Sequence, residues 1–401
     1  MNDTQILECC FILSIDIDKP GPSVHLLGDI IDLFKKNEIL IYQKSEKDEI
    51  DIEKTRTIKI SAKRPPKWNL LGRYVADYRY AKRVIKSLVD NNVTAKTFFV
   101  QSSPLAYYIV KHLKKHNIES RVIYNAQDVF PDNIQGNNII KKILFFPFAH
   151  LSKKLYMLSD HIITISPDIK TTIEKKIKER DKISVVHNWP NSTVIIENLD
   201  FKKRHNLEDK FVVLYAGNIG KFQDVEMVVK TAKKIDNDNI VFVIQGDGVR
   251  RKKIEKQVKN QSLMNVIFLP HDRLENMPTT YNSVDINLVT LKRDIYKTAL
   301  PSKLPFCLNT RTPLIFTVER NSSIAEILAD DNLTKTIAPG NIIDLRDEIL
   351  YFYDNRDKIV YNTNIRKKIL DSYFNPILNP KKYVEVILNI NREVREENKH
   401  V

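Results

Sequence analysis

The sequence predicts an α/β protein made of two units, each a parallel sheet with helices on both faces. Three observations lead there. Short β-branched and aromatic runs recur along the 401 residues at the spacing of strand–helix–strand units. Stretches with helical periodicity fill most of the intervals between them. The few glycines gather directly after two of the runs, where a strand turns into a helix.

Length and composition set the bounds. At roughly 150 residues per domain the chain holds two or three domains. With 42% hydrophobic and 28% charged residues it is an ordinary soluble chain, neither disordered nor collagen-like. The three cysteines, Cys9, Cys10 and Cys307, cannot all pair, so a disulfide scaffold is excluded. Met1–Glu8 has no basic start and makes a poor secretory signal. No run of about 18 uncharged apolar residues is present to span a bilayer. The expected location is the cytoplasm.

In the first half the expected strands are Ile6–Ile17, Glu38–Tyr42, Lys96–Gln101, Arg121–Asn125, His161–Ile165 and Ile183–Val186. Helical stretches Val24–Lys36, Tyr74–Asp90, Leu105–His116 and Asp168–Lys178 lie between them. The second half is clearer, with strands Phe211–Ala216, Ile240–Gln245, Val266–Leu269, Asp285–Leu291, Pro313–Thr317 and Thr334–Ala338 starting roughly 20 to 29 residues apart. Val225–Ile235 and Arg250–Lys259 are helical by period. His187–Asn191 reads as the linker, giving domains 1–190 and 191–379 and a terminal helix within 380–401.

Glycine is scarce at nine residues, yet Gly217, Gly220, Gly246 and Gly248 fall close together after two expected strands. Glycine persists where the backbone takes positive φ or approaches a ligand closely. Carboxyl ends of parallel strands, followed by helix amino termini, are where open α/β sheets bind phosphates. Gly246-Asp247-Gly248 is half of a dinucleotide fingerprint, but Arg251 stands at its third glycine position, so a nicotinamide site is not expected. No Walker A sequence is present. Two Asp-x-Asp triplets, Asp16–Asp18 and Asp236–Asp238, are what chance supplies, and the histidines lack metal-ligand spacing. Cys9-Cys10 sits in an apolar run and reads as core.

In Thr298–Leu304, Pro301 and Ser302 read as a helix start with Lys303 in its first turn. A lysine is unfavourable at that end of the helix dipole. It is either a solvated surface residue or one half of an anion site.

Charge is uneven within a formal +14: the first 190 residues carry 31 basic and 22 acidic side chains. Residues 62–86 hold Lys63, Arg64, Lys67, Arg73 and four more cations against Asp77 alone, interleaved with Trp68 and three tyrosines. Residues 139–158 add Lys141, Lys142, Lys153 and Lys154 among apolar residues. Such mixtures suit an anionic membrane face, or a solvated helix over a core. No recognised nucleic-acid module accompanies them, so nucleic acid is not an expected partner.

Val213–Lys221, Val243–Gly248, Asn265–Pro270, Met277-Pro278, Tyr281, Asp285 and Leu300-Pro-Ser-Lys-Leu304 occur in an order and spacing that resembles glycosyltransferase family 4, a GT-B family, in its bacterial capsule and O-antigen branch. Gln101–Pro104, Gln127–Pro131, Ile163–Pro167 and His187–Pro190 are similar to that branch's amino-terminal landmarks. The resemblance implies two Rossmann-like domains facing across a cleft, with the terminal helix crossing back to the first. It implies a retaining glycosyltransferase that uses a nucleotide-diphosphate sugar, commonly UDP-linked, as substrate and needs no metal or other cofactor. The donor would lie on Gly217, Asn218, Gly220, Lys221, Gly246, Asp247, Gly248, Pro270, Ser302, Lys303 and Leu304. Lys303 would stabilise the leaving diphosphate. Asp128 would stand near the acceptor hydroxyl, unless it only caps its loop. An acceptor on a polyprenyl diphosphate would account for the basic, apolar first half and for a peripheral position on the inner face of the plasma membrane.

The departures are specific. Ser302 and Phe306 stand near the family's two glutamates, Arg311-Thr312-Pro313 replaces a glycine-containing triplet, and Asn218 and Gln223 replace arginine and lysine. Lys221, Lys297 and Lys303 remain as phosphate cations. A nucleotide-sugar epimerase on the same scaffold, or a degenerate subunit or regulator, is the alternative.

Overall fold

A strand apolar on both faces must be covered on both, and all six residues of Phe211–Ala216 are buried. The computed structural model describes residues 6–19, 21, 24–51, 56–62, 65, 70–103, 106–117, 119–135, 139–191, 201–273, 276–359 and 361–397. The chain divides into two compact units: 1–187 together with 377–401, and 188–376.

The first unit is built on β1 (Leu7–Ile12), β2 (Ile39–Ser45), β3 (Glu49–Asp51), β4 (Thr57–Ser61), β5 (Ala95–Gln101), β6 (Arg121–Ala126), β7 (His161–Thr164) and β8 (Ile183–Val185). Their order is β3-β4-β2-β1-β5-β6-β7-β8. All neighbours are parallel except the β3–β4 pair. The chain starts in the middle, winds outward to β4, and then resumes on the other side of β1. That reversal makes a topological switch point between β1 and β5. Cys9 and Cys10 lie fully buried in β1, as the apolar run requires.

The second unit repeats the plan with β9 (Phe211–Ala216), β10 (Ile240–Gln245), β11 (Val266–Leu269), β12 (Ile286–Thr290), β13 (Leu314–Thr317) and β14 (Thr334–Ile337). Their order is β11-β10-β9-β12-β13-β14, parallel throughout, with the switch point between β9 and β12. Strand alternation sorts its core into two layers. Val212, Leu214, Val241 and Val243 pack beneath one face, and Phe211, Val213, Phe242 and Ile244 beneath the other. One buried ion pair braces the layers' edge: Arg366 holds Asp331 at 2.8 Å and donates to the carbonyls of Thr310 and Thr312.

The expected α/β architecture is present, and four local expectations need correction. The strand expected over Ile6–Ile17 ends at Ile12, where Ser14, Asp16 and Asp18 take the chain into bends and turns. No strand was expected between Tyr42 and Lys96, yet β3 and β4 lie there; both alternate polar and apolar residues, but over only three and five residues, too short a run to stand out. The helix expected over Val24–Lys36 stops at Ile31, and a short 3-10 turn over Lys36–Glu38 leads into β2. Residues 139–158, read only as a charged apolar stretch, form helices Ile139–Leu144 and Phe146–Leu158. The terminal helix, Leu378–Glu397, packs in the first unit: Asn379 donates to the carbonyl of His187 at 2.9 Å, and the Tyr383 hydroxyl meets Asn125 at 3.3 Å. Among the described residues no helix is long and apolar enough to cross a membrane.

Candidate functional site

The residues expected at the donor converge on the carboxyl ends of β9, β10 and β12 in the second unit. The loops after β9 and β10 are laced together by backbone. Gly217 N–H donates to Gln245 O at 2.9 Å, Ile219 N–H to Asp247 O at 2.8 Å, and Arg250 N–H to Ile219 O at 3.0 Å. This closeness explains two glycines. Gly246 has φ +138°, and a Cβ there would sit 1.9 Å from the Gly217 carbonyl oxygen. A Cβ on Gly248 would lie 2.4 Å from the Ile219 oxygen. Of the two reasons for retaining glycine, backbone against backbone is the one visible at these positions.

Lys303 lies over this laced pair. It stands as the N-cap of the short helix Leu304–Leu308, with Ser302 in the preceding turn; the cap expected at Ser302 has moved one residue on. The cause is Pro301: the Leu304 N–H closes a turn onto its carbonyl at 3.1 Å, so the helix begins only after Lys303. The side chain does not reach bulk water. Its Nζ is 3.5 Å from the centre of the Tyr215 ring, is shielded from solvent, and has no hydrogen-bond partner among the described residues. A Cβ on Gly217 would come within 3.8 Å of the same nitrogen. Burial pulls the Lys303 ammonium down to about 7, an effect the neighbouring Cys307 opposes only weakly.

The other expected donor residues are placed as follows. Asn218 is exposed, but its side chain lies against Gly220 and Gly248. Lys221 and Asp247 are exposed, Pro270 lies just past β11 and is exposed, and Leu304 is buried beneath the helix start. Lys297, a third phosphate cation by sequence, is drawn off into an ion pair with Asp294 at 2.6 Å. Phe306 packs against the core cluster under the sheet. Arg251, which breaks the dinucleotide fingerprint, donates to the Gly246 and Leu269 carbonyls and pairs with Glu255, so it ties the ends of β10 and β11 together.

Sequence reasoning missed the support around this centre. The Tyr215 hydroxyl donates to Asn218 O at 2.7 Å, and His271 Nε2 accepts from the Asp247 N–H at 3.1 Å. Gln223 Oε1, Gln245 Oε1 and Thr290 Oγ1 are buried without partners among the described residues. Gln245 and Thr290 are the last residues of β10 and β12, and a polar residue ending an apolar parallel strand is a readable sign of a ligand edge.

In the first unit Asp128 lies just beyond β6. Its carboxylate accepts from Ser102 Oγ at 3.0 Å and from Asn133 Nδ2 at 3.3 Å. Burial pushes the Asp128 carboxyl above the usual range, against the Ser102 hydrogen bond. Ser102 is tied across the switch point, because Ser14 Oγ donates to its carbonyl at 3.0 Å while Ser14 N–H donates to Gln101 Oε1 at 2.9 Å. Of the residues expected at a membrane face, Arg73 is half-buried in the helix Leu70–Asp90 and Lys142 is exposed. Lys63, Arg64, Lys67 and Trp68 lie outside the described residues, as does the side chain of Lys141.

Two α/β units of this strand order, the second with its switch point between β9 and β12, have the GT-B fold. Residues 197–368 match the family described as glycosyl transferases group 1. A probable glycosyltransferase, WbjE of Pseudomonas aeruginosa, is 20% identical over 250 residues, 61% of this chain and 62% of that protein. WcaI of Escherichia coli (strain K12), a putative colanic acid biosynthesis glycosyl transferase, is 26% identical over 42% of this chain and 43% of its own length. The matches thus span less than two thirds of these relatives. The Anabaena protein Alr3699/HepE, solved in complex with UDP and glucose, superposes with a TM-score of 0.69 at 12% identity, covering 95% of this chain and 99% of that one.

Proposed function

We propose that the chain is a retaining glycosyltransferase that moves a sugar from a nucleotide-diphosphate donor, UDP-linked, to a saccharide carried on a polyprenyl diphosphate. The observation that carries this reading is the Lys303 ammonium, buried, unpartnered and beside the Gly217 loop. A diphosphate oxyanion is the group that such a nitrogen lacks. As the glycosidic bond breaks, charge builds on the leaving diphosphate, and Lys303 stabilises it without a metal ion, helped by the backbone N–H groups of Asn218 and Gly220, since those of Gly217 and Ile219 are taken by Gln245 and Asp247. The UDP of HepE and the colanic acid assignment of WcaI support the donor class and a role in surface polysaccharide synthesis. Asp128 takes the acceptor side, holding the attacking hydroxyl or the positive sugar. The cations at Lys63, Arg64, Lys67, Arg73, Lys141 and Lys142 support an anionic membrane partner at the inner face of the plasma membrane.

Lys303→Ala tests the reading. It should cripple sugar transfer from UDP-sugars while the thermal midpoint holds, and wild-type turnover in that variant would remove the proposal. Asp128→Asn should lower kcat more than donor affinity. Turnover should survive a chelator.

A further inference from the structure

The helix Ile139–Leu144 presents an aliphatic face that none of the described residues covers. Ile139, Ile140, Ile143, Leu144 and Phe146 are each between 68% and 77% exposed. At 3.6 residues per turn the first four occupy a single arc of about 140°. Single exposed aliphatics are ordinary, but five within eight residues make a contiguous apolar patch. The patch is firmly seated. Behind it Phe130, Phe145 and Phe148 pack on one another with ring centres 5.7 to 6.2 Å apart. Tyr74 meets Phe148 edge-on at 5.1 Å and so brings the Arg73 end of the long helix to the same place.

Charge selects the occupant. Residues 139–158 carry four lysines and no acidic side chain, and Lys142, Lys153 and Lys154 are exposed. A protein partner would bring no general requirement for that one-signed border. An anionic bilayer does: cations stay at the phosphates while aliphatic side chains enter the acyl boundary.

We propose that Ile139–Phe146 is a lipid-insertion wedge, entering the headgroup–acyl boundary of an anionic membrane and fixing the first unit to it. This deepens the membrane side of the function proposed above and rests on it. The wedge separates from simple electrostatic adhesion by its response to salt, because surface charge attraction is screened within about 3 Å at 1 M salt and apolar insertion is not.

The test is sedimentation of the full chain with vesicles of phosphatidylglycerol and phosphatidylcholine at 0.1 and 1 M NaCl. Wild type should keep a salt-resistant bound fraction. Ile139→Ser/Ile140→Ser/Ile143→Ser/Leu144→Ser should lose that fraction and bind at least tenfold more weakly at low salt, with its thermal midpoint unchanged. Ile143→Trp should be quenched by lipids brominated near the headgroup end of the acyl chain. Equal binding by wild type and the serine variant would overturn the wedge. So would a change from dimer to monomer in that variant with vesicle binding intact, since a second copy would then be the occupant. UDP calorimetry on the same variant reports on the donor site separately: unchanged UDP binding with lost vesicle binding supports the wedge, and absent UDP binding in wild type overturns the donor reading alone.

Discussion

Lys303 Nζ stands 3.5 Å over the ring of Tyr215, whose hydroxyl reaches on to the carbonyl of Asn218 at 2.7 Å. One aromatic side chain thus supports a cation on its face and fixes the glycine loop with its edge. A cation on an aromatic face is held without an anion. It therefore stays available to one.

That arrangement couples nucleotide binding to protons. With the ammonium near 7, most Lys303 is neutral at pH 8, and a bound diphosphate favours the charged form. UDP binding should take up about one proton at pH 8 and fewer at pH 6. Affinity should fall as pH rises through 7 and beyond, until the ligand-bound lysine itself loses its proton. Calorimetry in two buffers of different ionisation enthalpy reads the uptake, and Lys303→Met should abolish it.

Tyr215→Phe and Tyr215→Leu divide the two duties of that side chain. The phenylalanine keeps the ring and loses one hydrogen bond, so stability should drop by about 1 kcal/mol with UDP affinity little changed. The leucine removes the aromatic face as well and should weaken UDP binding several-fold. Denaturant melts and calorimetry compare them.

Gly246→Ala forces a Cβ to within 1.9 Å of the Gly217 oxygen at positive φ. The loops must part, at a loss on the order of 3 kcal/mol in urea unfolding. UDP binding should weaken too, because Gly217 belongs to the displaced loop.

The buried Arg366–Asp331 pair predicts an asymmetric cycle. Arg366→Met leaves Asp331 charged in the core and should cost about 3 to 5 kcal/mol. The double variant with Asp331→Asn should recover part of that loss. A loss in the double variant equal to the sum of the Arg366→Met and Asp331→Asn losses would show that the pair is not coupled.

Acid should weaken the first unit before the carboxylates titrate. Burial pulls His161 and His187 down to about 4 each. The unfolded chain binds these protons near pH 6.5 and the folded one does not, so stability is full above 6.5 and is lost steadily as pH falls toward 4. Melting curves across pH 7 to 4.5 check the slope, and His161→Gln with His187→Gln should flatten it.

Much of this was legible in the residues. Phe211–Ala216, Ile240–Gln245 and Val266–Leu269 announce themselves because doubly covered parallel strands are written as unbroken apolar runs. Gly217, Gly220, Gly246 and Gly248 stood out because so few glycines compete with them. Lys303 was marked by its conflict with the helix start. Tyr215 was silent because the cation on its ring, Lys303, comes from a distant segment, and Arg251 because its grip on the Leu269 carbonyl joins two strand ends. Gln245 and Thr290 carry a sign, a polar residue closing an apolar run, that becomes legible only once the strand ends are known. The exposed face of Ile139–Leu144 was silent for another. A six-residue helix shows too little period to reveal which way its isoleucines turn.

The first unit includes residues 377–401, although the second is made in between. During synthesis the early sheet emerges long before Tyr383 can close over Asn125, so its last surface waits for nearly 200 further residues to be translated. The elder unit can therefore be sealed only after the whole of the younger one has been made.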